Sequence, residues 1–202
     1  MRIRNDYVTQ VGTKRYVHCR PAWRDMAYFG HLKLQLDGVI EPLLSEAVHG
    51  WRPRRGVATA VSRITAMTGT LIGLDIVEYF TNIDQERLGS LVRRQVPDGQ
   101  RLWRRIEACL PEFGLPDGAP FAPLLANLYL TPLDARFPTL TRYGDNIVVV
   151  VERKSEVSRA LRRVRQSLNE MGLATHEHQI GGVNFCNQVL ASTSDGRITH
   201  AK

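Results

Sequence analysis

Cysteine is scarce in these 202 residues, and the three that occur, Cys19, Cys109 and Cys186, are odd in number and far apart. That usage excludes a disulfide framework and a cysteine-based zinc cluster, and it fits a reducing cytoplasm. No apolar run is long enough to span a bilayer, and the opening MRIRNDYVTQ lacks the apolar core of a secretion signal. The expectation is a soluble cytoplasmic protein. Internal repeats, low-complexity tracts and an obvious linker are also missing, so a single continuous domain over residues 1–202 is the economical reading. Charge of one sign forms no long block, yet the net charge is +7. A folded protein with a basic face follows; nucleic acid is the first partner it suggests, and a merely solvated surface is the plain alternative.

Apolar residues at Phe29, Leu32, Leu36, Val39, Ile40 and Leu43 recur at helical spacing and predict a helix over roughly residues 24–44, weakened at its far end by Gly38 and Pro42. TLIGLDIVEYF, residues 70–80, is apolar and β-branched up to Asp75 and then turns polar, as a strand ending near a carboxylate does. A second helix should start near Asn82 or Asp84 and bury Leu88, Leu91 and Val92. GLPDGAPFAPLLANLYL reads as a Gly/Pro loop followed by an apolar helix with Pro123 in its first turn. In RYGDNIVVVV, residues 142–151, five branched residues predict a core strand, and Gly144-Asp145-Asn146 before them predicts a tight turn with Gly144 and Asn146 suited to positive φ. Ser155 is a candidate N-cap for a helix burying Val157, Leu161, Val164, Leu168 and Met171, with Gly172 at its end. Its other face carries Arg159, Arg162, Arg163 and Arg165, either solvated or in contact with phosphate. The tail predicts short strands with a turn at Asp195-Gly196. Strands and helices in this irregular order predict an α+β fold, an antiparallel sheet packed on helices.

Two carboxylates at a strand end and an adjacent hairpin, Asp75 and Asp145, suit phosphoryl transfer. Mg²⁺ binds hard oxygen ligands and keeps its other positions for water and phosphate. Spacing alone supports this weakly, because aspartates at strand ends and turns are common.

Motif order adds a resemblance. HGWRPRRGVATAV is similar to GFRPGRS of the reverse transcriptase family, in its group II intron-like bacterial branch, and GLDIVEYFTNID to that branch's DIKxFFDxID. GLPDGAPFAPLLANLYLTPLD resembles GxPQGSPLSPLLANLYLxxLD, RYGDN stands where the family has YADD, and LNEMGLATHEHQI with VNFCN resembles LxxLGLxLNxEKT and FLG. The likeness begins near Lys14 and covers nearly all of the chain. It implies a palm with a partial fingers subdomain, fingers-like elements at about 1–70 and 84–115 and palm at about 70–83 and 115–202. It also implies an RNA-directed DNA polymerase-like nucleotidyltransferase using Mg²⁺ or Mn²⁺, dNTPs and an RNA template or DNA primer. Asp75 and Asp145 match the metal-binding aspartates, with Asn146 beside them. Phe80 matches the aromatic gate against a ribose 2′-hydroxyl, though by itself it reads as a core ring. Gly118 and Pro120 match the loop that lets backbone approach the nucleotide. Lys14 and Arg15 align with residues holding the triphosphate, or form a surface basic pair. Arg52 is a template contact or a structural ion-pair residue.

The family pattern is broken in places. Asn146 replaces the second aspartate of YADD, removing one anionic ligand, so that Mg²⁺ affinity should fall or the preference move toward Mn²⁺; some viral RNA polymerases have GDN there. Asp117 replaces a glutamine beside the nucleotide sugar, where a carboxylate could repel triphosphate, bind metal or point away; Thr81 replaces an aspartate after the gate, and His178 stands about where a lysine donates a proton to pyrophosphate, or is a solvated loop histidine. The family's first fingers blocks and its thumb have no match, which implies a protein partner or homo-oligomer supplying duplex grip. The alternative expectation is an inactive RNA- or protein-binding subunit of a mobile-element or antiviral defence complex.

Overall fold

The computed structural model describes the backbone of residues 7–11, 14–18 and 23–201 and the side chains of residues 25–200. The chain runs β1 (Tyr7–Val11), β2 (Lys14–His18), α1 (Trp23–Ile40), α2 (Val57–Thr65), β3 (Thr70–Asp75), α3 (Gln85–Gln95), α4 (Gly99–Glu107), α5 (Ala122–Tyr129), α6 (Thr131–Arg136), β4 (Leu140–Tyr143), β5 (Asn146–Val151), α7 (Val157–Asn169), β6 (Gln179–Ile180), β7 (Gly182–Phe185), β8 (Gln188–Ser192) and β9 (Ile198–Ala201). Every named strand pair is antiparallel, so the α+β expectation holds. Among the described residues no helix is long and apolar enough to cross a membrane. Among the described residues neither Cys109 nor Cys186 forms a disulfide.

Contacts divide the chain into two compact units, residues 1–44 with 78–130 and residues 45–77 with 131–202. The first is helical apart from the β1–β2 ribbon. α1 buries Phe29, Leu32, Leu36 and Ile40 completely, four of the six residues of the predicted stripe, while Val39 is half-buried and Leu43, beyond the helix, is exposed; Phe29 meets Phe121 edge-on at 5.2 Å. Pro42 ends it as expected: residues Glu41–Leu43 form a 3₁₀ turn rather than a last α-helical turn. Asp84 is the N-cap of α3, its carboxylate accepting the Arg87 N–H at 2.9 Å, and Pro123 occupies the first turn of α5.

The second unit holds a four-stranded sheet in the order β4-β5-β3-β6 and a three-stranded sheet β7-β8-β9. β3 pairs along its whole length with β5, from Thr70 opposite Val151 to Asp75 opposite Asn146. Alternation then sorts the faces. Leu71, Val148 and Val150 share a core with Ala60, Val61 and Ile64 of α2 and with Val183, Phe185, Leu190 and Ile198 of the smaller sheet. Gly73 and Asp75 belong to that face, and Val183 packs directly on Gly73. Arg142, opposite Ile147, belongs to the other face, where its guanidinium makes two hydrogen bonds to the Asp134 carboxylate of α6 at 2.8 and 2.9 Å. α7 packs beside α6 against β3.

Two expectations need correction, and a third holds. Asn146 is the first residue of β5, not a positive-φ turn residue; Gly144 alone is positive, at 62°, as a two-residue type II′ hairpin requires. Ser155 is not an N-cap: Lys154–Glu156 form a 3₁₀ turn and α7 starts at Val157. Gly172 does close α7, at φ 74°, in a Schellman arrangement in which Leu173 N–H reaches Leu168 O and Gly172 N–H reaches Asn169 O, both at 2.9 Å.

Candidate active site

Ladder geometry puts Asp75 at the carboxyl end of β3 and Asn146 across from it at the start of β5, so Asp145 is the last residue of the intervening turn. Ile76 N–H donates to Asp145 O at 3.2 Å, joining the turn to the strand end. Asn146 Nδ2 donates to Asp145 Oδ1 at 3.3 Å. Both carboxylates act on one further group. Cys186, in the two-residue turn between β7 and β8, is half-buried, and burial first, then the charges of Asp145 and Asp75, push its thiol up to about 11. A small pocket is lined by Asp75, Asn146, Glu177, Gln179 and Asn184.

The turn is held from beneath. Arg142 N–H donates to Ala47 O at 2.8 Å and His49 N–H to Arg142 O at 2.9 Å, so residues 47–49 run along the hairpin. Trp51 follows in a left-handed conformation, φ 55°, with its ring over Gly144; a Cβ there would lie 2.7 Å from the indole. Arg52 donates to Ser45 O at 2.6 Å and Val48 O at 3.1 Å, closing the loop that braces the turn.

His178 is placed differently from the other candidates. Its Nδ1 lies 3.2 Å from the Arg165 guanidinium of α7 and, since arginine only donates, acts as the acceptor. Glu177 and Gln179, its neighbours, line the pocket beside Asp75 instead. Residues Glu177 and Cys186 escape sequence reasoning because the signal for each is only its neighbour: Glu177 sits in the block read for His178, and Cys186 in the turn read as a family match.

Phe80, Asp117, Gly118 and Pro120 lie in the helical unit. Phe80 is half-buried with its ring edge-on to Tyr79, and its carbonyl accepts the Leu115 N–H at 2.8 Å, which ties it to the loop carrying the other three. Gly118 has φ 88°, a conformation open to glycine. Lys14 and Arg15 fall in β2, and their side chains lie outside the described residues.

No group of three His, Cys, Asp or Glu side chains poised to hold a metal occurs among the described residues. The donor set at the hairpin is two carboxylates and one amide oxygen. All are hard oxygen ligands, and Mg²⁺ sites of phosphoryl-transfer enzymes use one or two carboxylates with substrate phosphates and water rather than an all-protein cage. The residues therefore fit such an ion.

Comparison with known proteins gives one family and several relatives. The model of the reverse transcriptase (RNA-dependent DNA polymerase) family matches residues 10–183. The group II intron-encoded protein LtrA of Lactococcus lactis subsp. cremoris is 30% identical over 128 residues, 56% of this chain and 21% of that protein. An uncharacterized 91 kDa protein in the cob intron of Schizosaccharomyces pombe is 30% identical over 145 residues, 64% of this chain and 18% of that protein. The chain thus spans about a fifth of the length of these relatives. Among solved structures, an apo telomerase from Candida tropicalis truncated from its C-terminal domain aligns with 88% of this chain and 45% of that chain at a TM-score of 0.62 and 10% identity. A Candida albicans telomerase in complex with a fragment of telomeric RNA aligns with 87% of this chain and 39% of that chain, also at 0.62, with 8% identity. At those identities the likeness is one of fold.

Proposed function

Because the chain belongs to the reverse transcriptase family, we propose that it extends a nucleic-acid 3′ end with deoxynucleotides, copying RNA. The observation that carries this is geometric: β3 ends with Asp75 opposite Asn146, and Ile76 N–H bonds to Asp145 O at 3.2 Å, so both aspartates lie at one end of the β3–β5 ladder. In this role Asp75 and Asp145 hold a divalent cation, Mg²⁺ or Mn²⁺, and Asn146 contributes Oδ1 while its Nδ2 orients the Asp145 carboxylate. The bound ion supplies a lowered pKa for the attacking hydroxyl and neutralises the leaving pyrophosphate. Phe80 excludes a 2′-hydroxyl, Gly118 and Pro120 let backbone approach the nucleotide, and Asp117 lies beside its sugar. Lys14 and Arg15 hold the triphosphate, and Arg52 shapes the template side of the turn. His178 offers its Nε2–H to pyrophosphate as a hydrogen-bond donor rather than as an acid, because with Nδ1 accepting from Arg165 the ring has no second proton to give up.

Residues 70–83 and 115–202 then form the palm and residues 1–70 and 84–115 the fingers, although contacts group 78–130 with 1–44. A partner chain or second copy supplies further grip on the duplex. The test is incorporation of labelled dNTPs on primed RNA with Mg²⁺ or Mn²⁺. Asp75→Ala and Asp145→Ala should each abolish it. Incorporation unchanged by Asp75→Ala, or none in the unmodified chain with either metal, would overturn catalysis; in the second case, RNA binding that survives EDTA would identify a binding subunit instead.

A further inference from the structure

The arginine face of α7 is left without a task by the catalytic site. Arg159, Arg162 and Arg163 are exposed and lie three and four residues apart, so they form one patch on the helix surface. None of them, nor Arg165, has a carboxylate within ion-pair distance among the described residues, whereas Arg55, Arg136, Arg142 and Arg153 each do. Arg163 stacks on the Phe137 ring at 5.4 Å, which holds it in place without neutralising it. The carboxylate nearest Arg159 in sequence, Glu156, is engaged by Arg153 at 2.6 Å, and the Arg159 charge reaches it more weakly than Arg153 does.

Helix electrostatics does not account for the patch. α7 has no acidic residue in its first turn and no basic residue in its last, so its arginines gain nothing from the helix dipole. Like charges at these spacings destabilise a helix further. The patch is all arginine, as most basic residues of this chain are, its lysines occurring only at positions 14, 33, 154 and 202. A guanidinium grips phosphate through paired donors and sheds water more readily than an ammonium does.

The sheet separates this patch from the catalytic end. Asp75 lies on the face covered by α2 and the β7–β9 sheet, while α7 lies with α6 on the opposite face. We infer that Arg159, Arg162 and Arg163 of α7 form a second nucleic-acid surface, on the back of the sheet, that binds the phosphate backbone of an RNA stem. The convex helix suits the backbone on either side of the wide, shallow minor groove of A-form RNA, whose narrow major groove admits no helix. The choice of RNA over DNA rests on the proposed copying of RNA; the existence of an anion-binding face does not.

The experiment measures binding of the full chain to a labelled RNA stem-loop and to a DNA stem-loop of the same sequence, in EDTA, between about 50 and 200 mM salt. Arg159→Gln/Arg162→Gln, which leaves the Arg163–Phe137 stack intact, should weaken RNA binding on the order of tenfold and lower the salt slope by about 2. Its thermal midpoint and its extension of a short primed template should match the unmodified chain. Unchanged RNA affinity and slope, or equal losses for RNA and DNA, would overturn the inference. Asp75→Asn separates the two assignments: loss of extension with RNA-stem binding intact leaves this surface standing, and retained extension sinks only the catalytic assignment.

Discussion

His49 is buried, and its bonding settles its tautomer. Thr59 Oγ1 gives its single proton to Gly56 O, so His49 Nδ1–H must donate to it, at 2.8 Å. Nε2 is then a bare acceptor, buried and without a hydrogen-bond partner. Burial first, then the positive charges of Arg55, Arg63 and Arg52, lower its pKa to about 4, against a partial rise from Glu46. The unfolded chain therefore binds this proton near pH 6.5 and the folded one only near pH 4. The stability involved is fully present above about pH 6.5 and is lost as pH falls to about 4, at about 1.4 kcal/mol per pH unit. Urea titrations at stepped pH should show this slope, and His49→Gln should flatten it. Asn146 supports a second prediction at this scale. Restoring a carboxylate with Asn146→Asp adds one charge beside the cation, worth on the order of 1 kcal/mol even at the dielectric of water, so half-maximal Mg²⁺ should fall roughly fivefold. Measured incorporation against Mg²⁺ concentration checks it, and an unchanged midpoint would remove Asn146 from the metal site.

Among elements, the β4–β5 hairpin depends most on single residues. Gly144→Ala meets both a positive φ and the Trp51 ring, and should cost about 1–3 kcal/mol while displacing Asp145. Denaturation together with incorporation would show both losses, and a stable, active variant would mean the turn has another conformation. Beneath the hairpin the Arg142–Asp134 pair is almost wholly buried, at 0% and 2% side-chain exposure. Arg142→Ala leaves a buried carboxylate unpaired and should cost about 3–5 kcal/mol. Its readout is the urea midpoint. Legibility at this scale followed local chemistry. α1, β3, the start of α3, Pro123 in α5 and the end of α7 were readable because a periodic stripe or a capping residue marks each. α4 went unread although Leu102, Trp103 and Ile106, with Arg101, Arg104 and Arg105 between them, have the spacing of an amphipathic helix; its shortness and its many charges mask a stripe that packs on α3. The true start of α7 was hidden because Ser155 serves a 3₁₀ turn before the helix.

For the molecule as a whole, the chain spans about a fifth of its curated relatives, and duplex grip scales with the surface that touches phosphate. Tested alone, it should extend primers distributively. Under a single-encounter trap, products should be a few nucleotides long and should shorten further as salt rises. Long salt-resistant products from the isolated chain would show that no additional surface is needed. The net charge of +7 is consistent with either proposed nucleic-acid face, but it does not locate them. Location comes from the sheet, which carries Asp75 on one face and α7 behind the other.

Local order and ancestry were set by the sequence alone: the ordered motifs of the reverse transcriptase family, the α+β class, and the candidacy of Asp75, Asp145 and Asn146. These depend on residue type, periodicity and spacing, which act over a few neighbours. Tertiary structure decided which distant groups meet. Only the β3–β5 register sets Asn146 across from Asp75, only the packing of the β7–β8 turn brings Cys186 into the field of both aspartates, and only the α7 contact takes His178 Nδ1 away to Arg165. The reason is physical: pairing register and burial are set by the sum of many long-range contacts, and no short stretch of chain contains that sum.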